Sequence, residues 1–152
     1  MFDPNVFMHT EQPANVGNQT DMVGPDEGEY TVMATEFKPR QVQRKDGTTT
    51  VVLDFILSII DTDGRVKAVT GMDENKVTYT VWPDWHPDNP TIFDGGTNKN
   101  LWLGRMKEAI KFPLHQPFKL ADFLGKPFVA ELKKTISADQ KVFTNVARIR
   151  AL

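Results

Sequence analysis

The sequence predicts a mostly β domain with one main helix. Three strand-like runs come first, a helical pattern over residues 98–112 follows, and two more strand-like runs end the chain. The strand-like runs are rich in alternating apolar and polar residues, whereas the helical run repeats apolar residues every three or four positions. This order of three strands, one helix and two strands is typical of the five-stranded OB-fold barrel, with the helix between strands three and four.

Alternation defines the first two strands. Residues 29–38 alternate, with Phe37 on the face opposite to Tyr30, Val32 and Ala34. Residues 48–60 form a longer run rich in β-branched side chains. The core face of this second strand is predicted to carry Val51, Leu53, Phe55, Leu57 and Ile59. Residues 39–47 between the two strands form a polar loop that turns at Lys45-Asp46-Gly47.

The middle of the chain contains the third strand and the helix. Residues 65–70 are expected to pair briefly as a strand, residues 76–82 form strand three, and residues 83–97 form a long irregular loop rich in proline and glycine. The helix over residues 98–112 has Asn98 as its predicted cap and ends before a proline. Its apolar stripe consists of Leu103, Met106 and Ile110, widened by Trp102 and Ala109.

The last two strands are predicted to form a hairpin. Residues 120–124 are expected to make a helical turn, after which strand four covers residues 126–136 and strand five covers residues 141–151. Strand five has an apolar and a basic side, because alternate residues of a strand point to opposite faces. Phe143, Ala147 and Ile149 are expected to face the interior, and Thr144, Arg148 and Arg150 the other side.

Composition narrows the class of protein. Hydrophobic residues make up 39% of the 152 residues and charged residues 25%, which is typical of a globular domain. The absence of cysteine excludes disulfides, thiolate-bound zinc and thiol catalysis. No apolar run approaches the roughly 20 residues needed to span a bilayer, and no secretory signal is visible. We therefore expect a cytoplasmic protein with no membrane partner.

Charge is distributed unevenly along the chain. Residues 1–27 contain five acidic residues and no Lys or Arg, so they account for more than the whole net charge of −2 and leave the remainder at +3. They also lack the apolar surface that offsets the cost of ordering a chain. We expect a flexible acidic arm over residues 1–27 and a mildly basic barrel domain over residues 28–152.

Several segments together resemble a known family. They are the block Gly28-Glu29-Tyr30-Thr31-Val32, the run 51–60, the helix 101–110, the stretch 121–128 with its Leu124-Gly125-Lys126 centre, and the closing basic strand 145–150. In this order they resemble small phage-encoded single-stranded DNA-binding proteins of OB-fold type. The resemblance implies a role in phage replication or recombination, in the host cytoplasm, with no catalytic residues and no cofactor. Partners would be replication or recombination proteins, with self-association left open.

One feature departs from that family. Its members commonly end in an acidic tail that recruits partners, whereas this chain ends in Arg148-Ile149-Arg150-Ala151-Leu152 and carries its acidic segment at the other terminus. Recruitment of partners through a C-terminal tail is therefore not expected here.

The residues themselves indicate how a single strand would be held. Such binding needs cations along the phosphates and flat side chains on which bases stack. The cations predicted to bind are Lys38, Arg40, Arg44 and Lys45 in the first loop, Lys133 and Lys134 on strand four, and Arg148 and Arg150 on strand five. The predicted stacking residues are Trp82 and Trp85, which flank Pro83 where strand three ends.

Two other functions are weighed against this one. In the first, the barrel is a protein-interaction or virion accessory module, and the acidic arm with Phe2–Met8 makes the contact. In the second, Pro83-Asp84 and Glu131-Leu132-Lys133 form a magnesium-dependent nuclease centre. The spacing argues against a nuclease, because a helix and long loops separate the two parts. The Asp84, His86, Asp88 cluster is better explained by polar turn chemistry than by metal binding.

Overall fold

The computed structural model describes residues 3–14, 23–113 and 115–152. Its helices are α1 (Pro4–His9), α2 (Arg65–Thr70), α3 (Leu101–Ala109) and a 3-10 turn at Leu120–Phe123. Its strands are β1 (Gly28–Gln43), β2 (Thr49–Ile59), β3 (Lys76–Val81), β4 (Trp85–His86), β5 (Asn89–Phe93), β6 (Pro127–Ile136) and β7 (Val142–Arg150). None of the described helices is long and apolar enough to cross a membrane.

Five strands form one antiparallel sheet in the order β3-β2-β1-β6-β7, and β4 and β5 form a separate hairpin. The sequence therefore predicted the five long strands and the position of α3 between the third and fourth of them correctly. The edge strands β3 and β7 approach each other. No ladder joins them within the described residues, so the sheet is not closed into a hydrogen-bonded barrel.

Strand β1 is longer than predicted and changes face along its length. A β-bulge between Ala34 and Glu36 places an extra residue opposite β2, which reverses the alternation of side chains. Phe37 therefore packs on the core side, with its ring centroid 6.0 Å from that of Phe55. The predicted placement of Phe37 on the opposite face from Tyr30 is wrong for this reason.

The extension of β1 also moves two predicted loop cations into the strand. Lys38 and Arg40 pair with β2, and the connection to β2 is reduced to residues 44–48. Strand β1 continues through Pro39, which pairs with Leu53 of β2. On its other side, β6 pairs with β1 only from Gly28 to Met33. Beyond Met33 one edge of β1 has no ladder partner in the described chain, and proline is tolerated where no ladder donor is needed.

Residues 65–70 form a helix rather than the predicted strand. The Asp61 carboxylate accepts hydrogen bonds from the backbone N–H groups of Val66 and Lys67, at 3.1 and 3.0 Å, at the start of α2. Gly71 ends α2 in the left-handed conformation, with φ of 71°, which glycine adopts at little cost. Residues 65–70 are therefore helical because Asp61 and Gly71 cap the two ends of α2.

Helix α3 is shorter than the predicted 98–112. Asn98 and Asn100 have φ of 60° and 54°, and Lys111 has φ of 57°, so regular helix is limited to the residues between them. Leu103, Met106 and Ala109 are buried, as the apolar stripe predicted, whereas Trp102, which was predicted to widen the stripe, is 39% exposed. The core lies between this face of α3 and the inner face of the sheet, and its largest fully buried side chains are Phe55, Phe123 and Phe128.

The loop 83–97 is not irregular throughout, because β4 and β5 form a small hairpin within it. Asn100 fixes the base of this hairpin: its side-chain amide donates to the carbonyl oxygens of Asp84 and Asp94, both at 2.8 Å. The hairpin is thus held beside the start of α3, which positions Trp85 for the site described next.

Candidate nucleic-acid interface

A groove of about 580 Å³ lies between the β1–β2 connection and the β4–β5 hairpin. It brings together two of the predicted binding residues, Arg44 and Trp85, and adds Lys99, which the sequence interpretation missed. The remaining lining residues are Thr48, Thr49, Thr50, Val51, Asp84, Pro90 and Asp94. The groove therefore combines cations, hydroxyl groups and an aromatic ring.

Trp85 is held in a fixed orientation within the groove. Its indole N–H donates to the carbonyl oxygen of Val51 at 3.1 Å, and its ring centroid lies 4.8 Å from that of Phe93. The indole N–H and part of the ring surface of Trp85 therefore already have partners within the protein. Trp85 is better suited to form a rigid wall than to offer both of its faces to bases.

Trp82 is the more accessible ring. Its side chain is 47% exposed, and it immediately precedes Pro83 at the end of β3, close in sequence to the groove lining. An exposed tryptophan at a strand exit can accept a base on its face. The structure therefore leaves Trp82 available for the stacking role that the sequence predicted for it.

The charges in the groove are formally balanced, since Asp84 and Asp94 face Arg44 and Lys99. The two carboxylates are engaged with the backbone: Asp84 accepts from the N–H of Asn100 at 2.8 Å and Asp94 from the N–H of Gly96 at 2.9 Å. Arg44 and Lys99 make no ion pair within the described ranges. The cations are thus available to a ligand, whereas the acids stabilise the hairpin.

Six other predicted cations have acidic neighbours. Each lies within 4.0 Å of a carboxylate: Lys38 with Glu36, Arg40 with Asp54, Lys133 with Glu27 and Glu131, Lys134 with Asp26, Arg148 with Glu131, and Arg150 with Glu29. Exposed pairs of this kind are weak and exchangeable. A phosphate would nevertheless have to compete with a carboxylate at each of them.

Two of these pairs are strong enough to change the pKa of the acid. The hydrogen bond from Arg40, with a smaller one from Thr80, holds the pKa of Asp54 below its ordinary value. The hydrogen bond from Arg150 likewise lowers the pKa of Glu29. A phosphate would therefore have to displace a hydrogen-bonded carboxylate at Arg40 or Arg150. Lys45, like Arg44, has no ion pair in the described part of the chain.

The acidic segment before β1 lies against the β6–β7 hairpin. Asp26 reaches Lys134 at 3.4 Å, Glu27 reaches Lys133 at 3.7 Å, and the hydroxyl of Tyr30 donates to the carbonyl oxygen of Asp26 at 2.7 Å. At least this end of the predicted arm contacts the domain. Residues 1, 2 and 15–22 of the arm lie outside the described residues.

Phe143 does not face the interior as predicted. It is 51% exposed and pairs with Thr135 near the tip of the β6–β7 hairpin, which projects beyond the start of β1 at Gly28. Ile136 and Val142, which pair across the tip, are also exposed. A β-bulge between Glu131 and Leu132 leaves Ala147 without a ladder partner and reverses the alternation along β7. Val146 therefore packs against the core, whereas Phe143 and Ala147, both predicted to face the interior, are exposed.

The residues of the nuclease hypothesis are engaged elsewhere. Asp84 binds the backbone of Asn100, and the carboxylate of Glu131 lies 3.6 Å from Lys133 and 3.8 Å from Arg148. His86 accepts a hydrogen bond from the N–H of Asp88 on Nδ1 at 3.1 Å, which is turn chemistry. In the described ranges no group of three or more His, Asp or Glu side chains is arranged to hold a metal ion.

Comparison with known proteins adds no relative. Neither a scan of the chain against protein-family models nor a search of curated proteins gives a match.

Proposed function

We propose that this chain is a non-catalytic OB-fold protein that binds single-stranded DNA in the groove between the β1–β2 connection and the β4–β5 hairpin. The observation that carries the proposal is the position of Arg44 and Lys99, two cations that make no ion pair within 4.0 Å among the described residues, in the groove walled by Trp85. Phosphates would bind the cations, and a base would stack on the exposed ring of Trp82.

The strand order supports the OB-fold part of the proposal. In that fold, oligonucleotides bind on the face of strands two and three and at the loops joining strands one to two and four to five. The corresponding elements here are β2, β3, the connection 44–48 and the connection 137–141. The groove lies at the first of these loops, and the exposed Phe143 lies near the second.

The role that we propose is coating of unpaired DNA during phage replication or recombination, as the family resemblance implies. Such binding is insensitive to sequence, because every base has a face that can stack. It weakens as salt rises, because each bound phosphate releases counterions.

The test is titration of a dT oligonucleotide with the full chain and with the double variant Arg44→Gln, Lys99→Gln. We expect the variant to bind roughly tenfold more weakly, with the slope of log K against log salt reduced by about 1.4 if two phosphate contacts are lost. The matched control is Lys67→Gln, Lys76→Gln, two exposed lysines outside the groove. Equal affinity of the groove variant and the control would overturn the assignment.

A protein-interaction role is favoured by one separate observation. On α1, Val6 and Met8 are 59% and 74% exposed, so this short helix exposes apolar side chains that a partner protein could bury. If the full chain failed to bind dT at low salt, the single-stranded DNA proposal would be wrong and this role would be the better one.

A further inference from the structure

A second group of unpaired cations lies at the other end of α3. The ammonium group of Lys107 lies 5.0 Å from the ring centroid of Phe118 and 5.7 Å from that of Phe112. The ammonium group of Lys126 approaches the same Phe112 ring at 5.7 Å. Two positive charges thus converge on one ring. We call Lys107, Lys126, Phe112 and Phe118 the lysine–aromatic cluster.

The lysines of this cluster are held differently from the cations on the strands. Neither Lys107 nor Lys126 has an ion pair among the described residues. Aromatic faces attract and orient an ammonium group without neutralising it. Phe112 and Phe118 are themselves partly buried against the core, so they support the lysines from a fixed position. The cluster therefore presents two oriented and uncompensated charges.

The cluster is connected to the groove by a row of neighbouring aromatic rings. Phe118 lies parallel to Phe93, with centroids 6.2 Å apart and an interplanar angle of 8°. Phe93 in turn packs on Trp85, the wall of the groove. The row Trp85, Phe93, Phe118, Phe112 thus leads from Arg44 and Lys99 to Lys107 and Lys126.

From this arrangement we propose that the lysine–aromatic cluster is a second phosphate-binding site, which takes the single strand after it leaves the groove. This inference rests on the proposed function, because it extends the path of the same ligand. The charges favour an anionic backbone over an apolar partner. The rings support the lysines here, so contact is made through phosphates and not through stacked bases.

Oligonucleotides of two lengths test the proposal. A chain of about 4 nucleotides is long enough for the groove alone, whereas one of about 16 also reaches the cluster, since these lengths bracket the site sizes of OB-folds. We expect the variant Lys107→Gln, Lys126→Gln to lose affinity for the longer chain only. Its salt slope on that chain should fall by about 1.4, or about 0.7 for each lost contact.

Glutamine is chosen because it keeps an aliphatic stem over the rings while removing the charge. The variant Lys107→Arg, Lys126→Arg should retain the affinity of the unaltered chain, and unchanged thermal unfolding would show that the fold is intact. If glutamine substitution destabilises the fold, the two single variants Lys107→Gln and Lys126→Gln are compared, each with an expected reduction in slope of about 0.7.

Three results would overturn the proposal while leaving the groove assignment in place. One is equal affinity of the glutamine variant and the unaltered chain for both lengths. Another is an equal loss on both lengths, which would place the cluster inside the groove site. The third is binding of a poly-glutamate peptide that depends on Lys107 and Lys126 while dT binding does not. Failure of the unaltered chain to bind either length would instead contradict the proposed function.

Discussion

Arg40 on β1 donates two hydrogen bonds to Asp54 on β2, Nε to Oδ2 at 2.9 Å and Nη2 to Oδ1 at 3.4 Å. Thr80 on β3 donates to the same carboxylate at 2.7 Å. The Asp54 side chain is only 16% exposed. This acid therefore links three neighbouring strands, and a ligand would have to compete with it for Arg40.

The first prediction concerns stability and pH. Because the pKa of Asp54 is lowered in the folded chain, its charge stabilises the fold above the unfolded pKa of about 3.9. That contribution is lost as pH falls through the lower folded pKa. We expect Asp54→Asn to reduce the free energy of unfolding at pH 7 by about 1 kcal/mol.

Urea unfolding at a series of pH values measures this effect. The difference between Asp54→Asn and the unaltered chain should stay constant from pH 7 to about 5 and shrink below about pH 4. Thr80→Val, which removes the hydroxyl and keeps the ion pair, is the control and should retain most of the pH dependence. A difference that does not change with pH would contradict the assignment.

The second prediction separates two arginines that the sequence placed in the same loop. Arg44→Ala should weaken dT binding without lowering the melting temperature, because Arg44 has no ion pair in the described ranges. Arg40→Ala should lower the melting temperature by a few degrees, since roughly 1 kcal/mol corresponds to such a shift in a domain of this size. Calorimetry and titration of both single variants give the comparison. If Arg40→Ala and Arg44→Ala changed dT affinity and melting temperature equally, the ion pair of Arg40 would not distinguish the roles of the two arginines.

The third prediction concerns the tryptophans. We expect Trp82→Phe to lose most of the fluorescence quenching on dT binding, because Trp82 is the most exposed of the three tryptophans. Trp82→Ala should weaken the free energy of dT binding by about 1–3 kcal/mol, the contribution of one stacked base. Trp102 on α3 is also exposed, at 39%, but does not line the groove, so Trp102→Phe serves as the control. Quenching that survives in Trp82→Phe and disappears in Trp102→Phe would refute the stacking role.

The fourth prediction uses the acidic segment before β1. Replacing Asp26 with Asn and Glu27 with Gln removes carboxylates from Lys134 and Lys133. Lys134 then has no ion pair within the described residues and Lys133 keeps only Glu131, so affinity for a long dT chain and its salt slope should both increase. The double variant Asp73→Asn, Glu74→Gln, which also removes two carboxylates and releases Lys67 elsewhere on the surface, controls for the general gain in positive charge. If the two variants gain affinity equally, the segment has no specific effect.

The fifth prediction tests the core beneath the sheet. Phe123 is fully buried, and its ring meets those of Phe55 and Phe118 at centroid distances of 5.9 and 5.5 Å. Phe123→Ala should lower the free energy of unfolding by about 3–5 kcal/mol. Phe123→Leu should cost less, because it leaves a smaller cavity. Denaturant titration gives both values, and a cost below about 1 kcal/mol for the alanine variant would contradict the packing.

Periodicity predicted the long strands and the buried face of α3 because these depend on neighbouring residues. It missed α2, which depends on capping by Asp61, and it placed Phe37 on the wrong face because a single-residue bulge leaves no periodic signal. Periodicity could not predict the acidic partners of the cations for another reason. Glu29 and Arg150 are separated by 121 residues, so only the folded chain shows which charges are already neutralised.

The pairing of β1 with β6 has a consequence for how the chain is made. Gly28 lies opposite Leu132, so one side of the central strand can pair only after a segment 104 residues further along the chain has been synthesised. Pairing between segments so distant slows folding, since a large loop must close first. The sheet is therefore completed only after β6 and β7 have been synthesised, and until then the nascent chain exposes the edge of β1.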